Sequence, residues 1–432
     1  MLDSNYILSL LSIPSETVLS FSVINDTDNI YYIDIELKDN RPSVCPFCFN
    51  NQINIKDYYN VKIKNSIIIK KKLYINIKVR RYVCKNCKKS FKQQFKLYDD
   101  NKSISKKVIE NIKLMTLDPV SFSYISKMLD VSTQTVINVF DELPEPTRLP
   151  LGKVICIDEF HFSNANTSIG KCPCVISNPF TTEIIDIIES RRKVYLEAYF
   201  KTISYTERTN VKYYITDMNE TYRVIKKMFF KNAVHIIDHF HIVKLFTEAI
   251  QQIRIRIMKN YPTDTKAYKY LKKNWSLFLK NRFDLKESTY INKKTGVIYY
   301  TLDDIDMVLR AYPDLFYAYW CKEEFSNYML KLHEYKETES KIDFFINKYE
   351  NSNIKEIVNI SNTFKNWRKE IINGYSKNTY GVVLTNAMAE SNNNYIQTLI
   401  DVGYGYSNFK RLRKRLLYMS SNKQNKKQPI QL

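Results

Sequence analysis

Val154-Ile155-Cys156-Ile157-Asp158-Glu159 is an apolar stretch that ends in two carboxylates, and it indicates the class of the largest domain. Two later stretches, 211–215 and 233–237, have the same apolar character, and Asp217 and Asp238 follow them. A predicted helix connects these two strands. Strands joined through a helix usually run parallel, so their carboxyl ends meet at one edge of a sheet. The sequence therefore predicts an α/β sheet whose acidic residues converge at that edge.

Clustered carboxylates are suited to binding Mg²⁺ or Mn²⁺, because hard cations prefer oxygen ligands and keep positions open for phosphate and water. Glu390 adds a carboxylate on a predicted late helix that Asn386 can cap, and Asn393 and Asn394 share its face. Each acid alone also fits a simpler interpretation, since an Asp after a strand is commonly a turn residue or a helix N-cap. Acids after three strands in succession favour a metal site.

Four cysteines form two Cys-x-x-Cys pairs in the first fifth of the chain, Cys45 with Cys48 and Cys84 with Cys87. Each pair can place two thiolates on one tight turn, and together they complete the tetrahedral four-sulfur shell that Zn²⁺ prefers. Two disulfides or four free thiols are the alternative. The remaining cysteines are scattered as reduced core cysteines usually are, so the pattern favours structural zinc.

The chain of 432 residues is strongly basic, with 66 Lys+Arg against 45 Asp+Glu and a formal net charge of +21. This excess indicates a polyanionic partner, and 33 Tyr and 23 Phe offer rings on which bases can stack. An AT-rich genome is an alternative source of the lysine excess, because the chain is also rich in Asn, Ile and Tyr. Only 7 glycines occur and none forms a phosphate-binding loop, so no nucleotide cofactor is expected.

The sequence contains no segment typical of export or of a membrane span. The N-terminus has no basic region before its short apolar stretch, 7–13, which Pro14 follows. No apolar run reaches the ~18 to 20 residues that span a bilayer. These features predict a soluble, cytoplasmic, nucleoid-associated protein, and the length predicts two to four domains.

Residues 1–98 are predicted to form a zinc ribbon. Apolar and polar positions alternate over 20–37 and 61–83, which indicates β-hairpins around the cysteine pairs. Basic residues surround the second pair: Arg80, Arg81, Lys85, Lys88, Lys89, Lys92 and Lys96. This basic surface either contacts phosphates or is the solvated rim of a domain that only stabilises the fold.

Residues 99–146 are predicted to form a helix-turn-helix unit. Helices are expected over 122–129 and 133–140, with Ser132 as the N-cap of the second. Four polar side chains of that second helix would face a DNA major groove: Thr133, Gln134, Thr135 and Asn138. A three-helix core without any DNA contact would show the same pattern. A proline-rich linker follows.

A basic helix is predicted after the glycine-containing segment 403–409. Four of its cations would contact DNA phosphates: Lys410, Arg411, Arg413 and Lys414. A solvated amphipathic helix is the alternative interpretation.

Taken in order, these motifs resemble the ISL-three group of bacterial insertion-sequence transposases over nearly the whole chain. The matching pieces are Ile157-Asp158-Glu159-Phe160, Asp186-Ile187-Ile188 with Arg191-Arg192-Lys193, Asp217-Met218, Ile237-Asp238-His239-Phe240-His241 and Tyr404-Gly405-Tyr406-Ser407-Asn408-Phe409. The resemblance implies a ribonuclease-H-like fold with a DDE catalytic triad. Asp158, Asp217 and Glu390 would then hold two catalytic Mg²⁺ or Mn²⁺ ions.

The stretch between Asp217 and Glu390 is too long for an uninterrupted fold of this kind. Residues 244–380 have a mainly helical pattern and are predicted to form an all-α insertion. Related transposases carry such an insertion after a strand that ends in Asp, two residues, then His, which is the pattern of Asp238 and His241. Four residues are expected to support the site: Asp238, His241, Asn393 and Asn394. Structural roles fit Asp238 and His241 equally, and Asp238 is the alternative second catalytic acid.

The predicted fold class is multidomain α+β. The parts in chain order are the zinc ribbon (1–98), the helix-turn-helix unit (99–146), the first part of the ribonuclease-H-like core (151–243), the insertion (244–380), the last core helices (381–420) and a basic polar tail (421–432).

The implied activity is cleavage and strand transfer of DNA. The partner would be double-stranded DNA, both as terminal inverted repeats and as target, bound by a homodimer. Both steps are in-line displacements at phosphorus that require positioning and charge stabilisation, so one site can serve both. The alternative is a transposase-derived, zinc-dependent DNA-binding or regulatory protein that does not cut.

Overall fold

The computed structural model describes most of the chain, which forms two compact units. One unit comprises Met1–Pro146 together with Thr398–Leu432, and the other comprises Thr147–Gln397. The described residues are 7–9, 11, 13–27, 30–65, 72–98, 102–162, 172–181, 183–285, 289–291, 298–385, 387–403 and 408–425. No helix within these ranges is both long and apolar enough to cross a membrane.

A five-stranded sheet forms the first part of the N-terminal unit. Its strands are β1 (Val18–Thr27), β2 (Ile30–Leu37), β3 (Ile53–Lys64), β4 (Lys72–Cys84) and β5 (Ser90–Lys92). The order is β1-β2-β4-β3, and the short β5 also pairs with β4. β2 and β4 run parallel, whereas the other pairs are antiparallel. The strands predicted from the alternation over 20–37 and 61–83 are therefore present.

Alternate side chains of β2 and β4 form the core of this sheet. Ile33 and Ile35 of β2 are almost fully buried, as are Ile75 and Ile77 of β4. The register pairs these two sets directly across the strands. Because side chains alternate along a strand, the polar residues between them lie on the opposite face.

Three short helices follow in the same unit. They are α1 (Lys106–Met115), α2 (Phe122–Leu129) and α3 (Thr133–Asp141). Ser105, Ser121 and Ser132 cap them, each through a side-chain oxygen that accepts a backbone N–H of the first turn. α2 and α3 occupy the positions predicted for the two helices of the helix-turn-helix unit. Asp130, at φ 51°, makes the tight turn between them.

α15 (Phe409–Asn425) belongs to this unit although it follows the whole of the second one. Arg415 on α15 is fully buried. Its guanidinium donates to the carbonyl oxygens of Thr116, Asp118 and Val120, at 3.0, 2.8 and 2.6 Å. Thr116 is the C-cap residue of α1, and Asp118 and Val120 lie in the segment that connects α1 to α2. α15 therefore completes the packing of α1.

The second unit is built on another five-stranded sheet. Its strands are β6 (Val154–Glu159), β7 (Cys174–Ser177), β8 (Ile184–Ile188), β9 (Tyr213–Thr216) and β10 (Val234–Ile237). The order is β8-β7-β6-β9-β10. β7 is antiparallel to both β6 and β8, whereas β6, β9 and β10 run parallel. The three strands with acidic ends are adjacent and parallel, as the sequence predicts.

The two faces of this sheet bury different layers. One face packs against α4 (Lys193–Lys201) and α6 (Glu220–Phe229), and α5 (Tyr205–Asn210) lies between these helices in the chain. Residues of the other face cluster with Leu384: Val154, Cys156, Ile215 and Ile236. Because side chains alternate, Asp158 continues this second face beyond Cys156.

Most of the second unit after β10 is helical. Its helices are α7 (His239–Met258), α8 (Lys266–Lys273), α9 (Thr301–Ala311), α10 (Pro313–Tyr328), α11 (Tyr335–Glu350), α12 (Lys355–Asn366) and α13 (Arg368–Tyr375), and α14 (Ala387–Val402) belongs to this unit up to Gln397. The helices from α7 to α13 share one apolar core that contains Phe246, Phe325 and Phe364.

A hairpin of β11 (Thr289–Ile291) and β12 (Ile298–Tyr300) interrupts the helices between α8 and α9. Both strands consist of β-branched and aromatic residues, which favour extended backbone. The segment 244–380 is thus mainly helical, as predicted, but it is not all-α.

The helical part packs closely on the edge of the sheet. Gly374 of α13 lies against β10, where a Cβ atom would come within 3.4 Å of Ile236 Cγ2. Arg223 of α6 donates to Glu370 Oε1 at 3.0 Å, and its guanidinium lies 3.6 Å from the ring centroid of Trp367. These contacts anchor α13 and the end of α12 to the sheet.

Candidate functional site

The four predicted zinc ligands lie together in the N-terminal unit. Their sulfur atoms are all within 4.8 Å of one another, with 3.7 Å between Cys45 and Cys87 and 3.6 Å between Cys48 and Cys84. Sulfurs at the corners of a tetrahedron with Zn–S near 2.3 Å are about 3.8 Å apart, whereas a disulfide requires about 2.05 Å. Within the described residues, this is the one group of three or more Cys, His, Asp or Glu side chains so arranged.

The two cysteine pairs have the same backbone conformation. The residue after each pair is left-handed, with φ of 58° at both Phe49 and Lys88. The N–H of Phe49 donates to the carbonyl of Cys45 at 2.9 Å, and the N–H of Lys88 donates to the carbonyl of Cys84 at 3.0 Å. Each pair therefore folds into half of the site through its own local turn.

The charge state of the thiols favours a bound dication. The backbone N–H of Asn50 lowers the pKa of Cys48 to about 6, although burial opposes it. The N–H of Lys89 also acts to lower the pKa of Cys87, but burial and the neighbouring thiols raise that pKa to about 11. Cysteines bind a metal as thiolates, and Zn²⁺ would supply the positive charge that offsets them.

A second constellation lies at the carboxyl ends of the parallel strands in the other unit. The register of β9 on β6 brings Asp217 to the level of Asp158. The register of β10 on β9 brings Asp238 to the level of Asp217. Neighbouring strands are about 4.8 Å apart, so three carboxylates occupy one short edge.

Asp158 is held by two hydrogen bonds. Its Oδ1 accepts the backbone N–H of Glu159 at 2.8 Å, and its Oδ2 accepts from Asn393 Nδ2 at 2.8 Å. Asn393 lies on α14 and also donates to the Glu159 carbonyl at 3.2 Å. Burial raises the pKa of Asp158 above its usual value, although the Glu159 N–H opposes this. The contact with Asn393 places α14 beside the strand that carries Asp158.

Asp217 has a buried oxygen, Oδ1, with no hydrogen-bond partner among the described residues. Burial, reinforced by the charge of Glu159, raises the pKa of Asp217 to about 6. An unpartnered buried carboxylate oxygen is costly, and a divalent cation is a ligand that would satisfy it. The donor set of Asp158 and Asp217 thus fits Mg²⁺ or Mn²⁺.

Asp238 and His241 form a pair beside these two acids. Asp238 is buried immediately before α7, and its Oδ2 lies 3.2 Å from His241 Nδ1. Burial acts to lower the pKa of His241, but the hydrogen bond and the charges of Asp238, Asp158 and Asp217 raise it above its ordinary value. When it is protonated, the imidazole therefore opposes the negative charge of the acids.

Glu159 and Arg191 also belong to this region, and no role was predicted for either residue. Glu159 Oε2 pairs with Arg191 Nη1 at 2.8 Å, and Glu159 Oε1 accepts from the hydroxyl of Tyr222 at 2.9 Å. Both charges act on the pKa of Asp217, Glu159 raising it and Arg191 lowering it. The signal in the sequence is adjacency, since Glu159 follows Asp158 directly.

Glu390 belongs to α14, but its side chain and the whole of Asn386 lie outside the described residues. Asn393, three positions later, is on the same helical face and contacts Asp158. Asn394 is exposed.

The four polar residues predicted to face a DNA groove all lie on α3. Thr133, Gln134 and Asn138 are exposed, and Gln134 Nε2 donates to Asn138 Oδ1 at 2.6 Å. Thr135 is half-buried, and its hydroxyl lies 2.8 Å from that of Ser132.

The cations predicted on the last helix have different surroundings. Lys410 is exposed and Arg413 is half-buried. Arg411 pairs with Asp141 at 2.7 Å, and the buried Lys414 donates to the Asp141 carbonyl at 2.9 Å. Arg411 and Lys414 are thus engaged within their own unit, and Lys414 supplies a donor to a carbonyl at the end of α3.

The protein combines two features: a four-thiol cluster on a β-ribbon, and an α/β unit with acids at its strand ends. Together they define a mixed α/β protein with a cluster suited to Zn²⁺. The chain belongs to the ISL3 (ISL-three) group of DDE transposases, since the family model described as the transposase of this group matches residues 155–416, more than half of the chain. A model described as the zinc-finger of transposase IS204/IS1001/IS1096/IS1165 matches residues 41–87, which include all four thiols. No curated protein gives a significant match.

The predicted family is therefore confirmed. The zinc-finger match and the four-thiol cluster together support a structural Zn²⁺.

Proposed function

We propose that this transposase binds the terminal inverted repeats of an insertion sequence and cuts and joins DNA with divalent metal ions. The observation that carries the proposal is the side-by-side placement of Asp158 and Asp217, both with raised pKa, and the unpartnered buried oxygen of Asp217. Glu390 is the proposed third acid, because Asn393 on the same face of α14 contacts Asp158.

The strand order supports a ribonuclease-H-like core. β6, β7 and β8 form an antiparallel meander, and β9 and β10 extend the sheet in parallel on the other side of β6. β6 and β9, which are the first and fourth strands of this sheet in chain order, are therefore neighbours. A crevice at the carboxyl ends of such strands is where α/β sheets usually bind ligands.

Bound between these acids, two Mg²⁺ or Mn²⁺ ions would activate the attacking hydroxyl and neutralise charge at the phosphorus. Asp158 and Asp217 supply the anionic oxygens, and Asn393 fixes the orientation of the Asp158 carboxylate. The charge of His241, when the imidazole is protonated, favours the ionised form of both acids. Because the acids hold protons more tightly than usual, binding of the ions competes with protonation.

The N-terminal unit is the proposed DNA-binding part. α2 and α3 would act as a helix-turn-helix, with the exposed Thr133, Gln134 and Asn138 reading base edges. Lys64 and Lys72 of the ribbon both pair with Asp130 in the turn between these helices. Ribbon and helices would therefore present one surface to the duplex. A homodimer is the proposed assembly, since an element has two similar ends.

The test is cleavage of a labelled duplex that carries the terminal inverted repeats found beside the gene, in Mg²⁺ or Mn²⁺. Wild type is compared with Asp158→Asn and Glu390→Gln, which keep shape but remove an anionic ligand. Asp264→Asn, at an exposed position of the same unit, is the matched control. We expect site-specific nicking by wild type and control, and a loss of about 10³-fold or more in both site variants.

Well-folded wild type that binds the repeat in a zinc-dependent way, but nicks it in neither metal, would instead establish a binding-only protein. Nicking that survives both site substitutions would reject the assigned acids.

A further inference from the structure

The sheet of the N-terminal unit has an outer face, opposite its apolar core, that carries three tyrosines. Tyr32 of β2 and Tyr74 of β4 are direct partners in the register. Tyr58 of β3 is the partner of Arg80 of β4. Side chains alternate along a strand, so these positions point away from the core residues between them. Tyr58 is 47% exposed, and the other two tyrosines are half-buried.

Each of the three rings lies beside a lysine ammonium. Lys62 Nζ is 4.7 Å from the ring centroid of Tyr32 and 4.5 Å from that of Tyr74. Lys78 Nζ is 5.1 Å from the ring centroid of Tyr58, and both lysines are exposed. An exposed cation–π contact is weaker than the stacking of a nucleobase on the same ring. A base can therefore displace either ammonium, which is then available to the neighbouring phosphate.

The two acids of the outer face are engaged by their neighbours. Asp34 Oδ1 accepts from Asn76 Nδ2 at 2.8 Å, and Glu36 Oε1 pairs with Lys78 Nζ at 3.2 Å. Both acids lie on β2, whereas the exposed Lys62 lies on β3. The positive charge is therefore displaced toward β3, and a polyanion would follow that side of the face.

The shape of the outer face favours a single strand over a duplex. A major groove about 12 Å wide admits a helix or a two-stranded ribbon, but not the broad face of a sheet. The bases of a duplex are also stacked on one another, whereas unpaired bases can stack on aromatic rings. From Tyr74 to Arg80, the partner of Tyr58, β4 advances roughly 20 Å at ~3.4 Å per residue. The rings at the two ends can therefore receive separate bases of one strand.

We propose that the outer face binds single-stranded DNA. Stacking would occur at two positions, and two lysines would contact phosphates: Tyr32 with Tyr74 at one position, Tyr58 at the other, and Lys62 and Lys78 as the cations. The proposed function supplies the source of this strand, which is the DNA that adjoins the repeat bound by α3, and the inference rests on it to that extent.

One end of the outer face adjoins the proposed helix-turn-helix. Lys64 pairs with Asp130 in the turn before α3, and its ammonium lies 5.6 Å from the ring centroid of Tyr74. An unpaired strand that leaves a duplex bound at α3 would therefore meet the tyrosines without crossing another part of the unit.

The first readout is binding of a fluorescently labelled oligothymidylate to the full-length, zinc-loaded protein without added divalent cations. Tyr58→Leu removes a ring, Tyr58→Phe keeps it, and Tyr124→Leu is the matched control on α2, at a tyrosine that is also 47% exposed. We expect Tyr58→Leu to weaken binding about tenfold, with the other two variants close to wild type. Zinc content and thermal unfolding establish that each variant is folded.

The second readout is the salt dependence of the same binding. Each phosphate contact to a single strand contributes about 0.7 to the slope of log affinity against log salt. Lys62→Gln should lower the slope by about this amount, whereas Tyr58→Leu should leave it unchanged. An unchanged slope in Lys62→Gln would overturn the transfer of this lysine from ring to phosphate.

The third readout separates the outer face from α3. Gln134→Ala combined with Asn138→Ala should weaken binding of the repeat duplex and leave binding of the oligothymidylate unchanged. Tyr58→Leu should do the reverse, because the two surfaces bind different forms of DNA.

Equal affinity of wild type and Tyr58→Leu for the oligothymidylate would overturn the inference and leave the proposed transposase standing. Tighter binding of an oligouridylate of the same length would also overturn it, because the face would then be assigned to RNA. Selective loss of oligothymidylate binding in Tyr58→Leu, from a wild type that never nicks, would support the outer face and reject the proposed cleavage.

Discussion

The thiol site and the carboxylate edge are both suited to metal ions, yet the chain builds them in opposite ways. Each cysteine pair forms its own turn. In both turns, the carbonyl of the first cysteine accepts a hydrogen bond from the backbone N–H of the residue after the pair. The carboxylate edge joins Asp158 to Asp217 through strand pairing, and to Asn393 through a helix 235 residues further along the chain.

The two sites also differ in what they cost the fold. The thiol site is built from groups that bind zinc as thiolates, so zinc binding releases the protons of those that are still protonated. The carboxylate edge confines acids whose pKa burial has already raised. Metal binding at a structural site stabilises the domain around it. At the carboxylate edge, the packing of the rest of the unit must instead offset the cost of burying the acids.

Loss of one thiol should have the largest effect. Cys84→Ser removes a ligand from the end of β4, and the remaining three cannot complete the tetrahedral shell. We expect bound zinc to fall from about one ion per chain to near zero, with unfolding of the ribbon. Elemental analysis and circular dichroism check this, with Cys172→Ser, outside the cluster, as the control. Full zinc content in Cys84→Ser would contradict the local construction of the site.

Removal of an acid should have the reverse effect on stability. The pKa of Asp217 is raised from 3.8 to about 6, so the folded state binds more protons than the unfolded state between these values. Stability therefore falls as pH rises through that window, and Asp217→Asn should stabilise the protein above it by about 2 kcal/mol. The gain should shrink toward about pH 4.

Thermal unfolding of wild type and Asp217→Asn without added divalent cations, at about pH 5 and about pH 7.5, measures this difference. Asp264→Asn again serves as the control. An equal gain at both pH values would mean that charge burial is not its cause.

The same contrast explains what the sequence could predict. Local sequence was enough to predict three kinds of element, because each is determined by neighbouring residues. These are the cysteine pairs, the capped helices α2 and α3, and the strand before Asp158. The partners of Glu159, and the burial of Lys414 and Arg415, depend on elements far apart in the chain. A charged side chain is normally exposed to solvent. Only the fold shows that Arg415 is fully buried and donates to backbone carbonyls that follow α1.

The parallel pairing of β2 with β4 could not be predicted from the sequence either. The alternation predicts the strands and their buried faces, but it does not specify which strand lies beside which. The hairpin β11–β12 was missed for a related reason, since a short extended segment has too few residues to show a period.

The hydrogen bond from Asn393 to Asp158 should have a moderate effect on the pH dependence of nicking. Asn393→Leu removes a donor to the carboxylate, so the pKa of Asp158 should rise further. We expect the rising limb of the pH–rate profile to move up by about one unit. Ser391→Ala, at an exposed position two residues earlier on α14, should leave the profile unchanged. A lower rate without any displacement of the limb would assign Asn393 a purely structural role.

The smallest effect should come from the left-handed residues of the thiol site. Phe49→Gly and Lys88→Gly relieve a conformation that a side chain disfavours, and glycine loses part of this gain through chain entropy. Each should stabilise the zinc-loaded protein by about 0.5 kcal/mol, measured by thermal unfolding. Lys85→Gly, at ordinary φ in the second turn, should destabilise it. Opposite responses of Phe49 and Lys88 would show that the two turns are not equivalent.

The buried guanidinium of Arg415 has a consequence for synthesis. During translation, α1 to α3 emerge long before α15, and the whole of Thr147–Gln397 is made between them. Until α15 arrives, the carbonyls of Thr116, Asp118 and Val120 lack the hydrogen bonds that the Arg415 guanidinium donates in the finished protein. A nascent chain that stops inside the second unit therefore leaves the proposed DNA-binding helices immature. Under the proposed function, truncated products of this kind would be poor competitors for the terminal repeats.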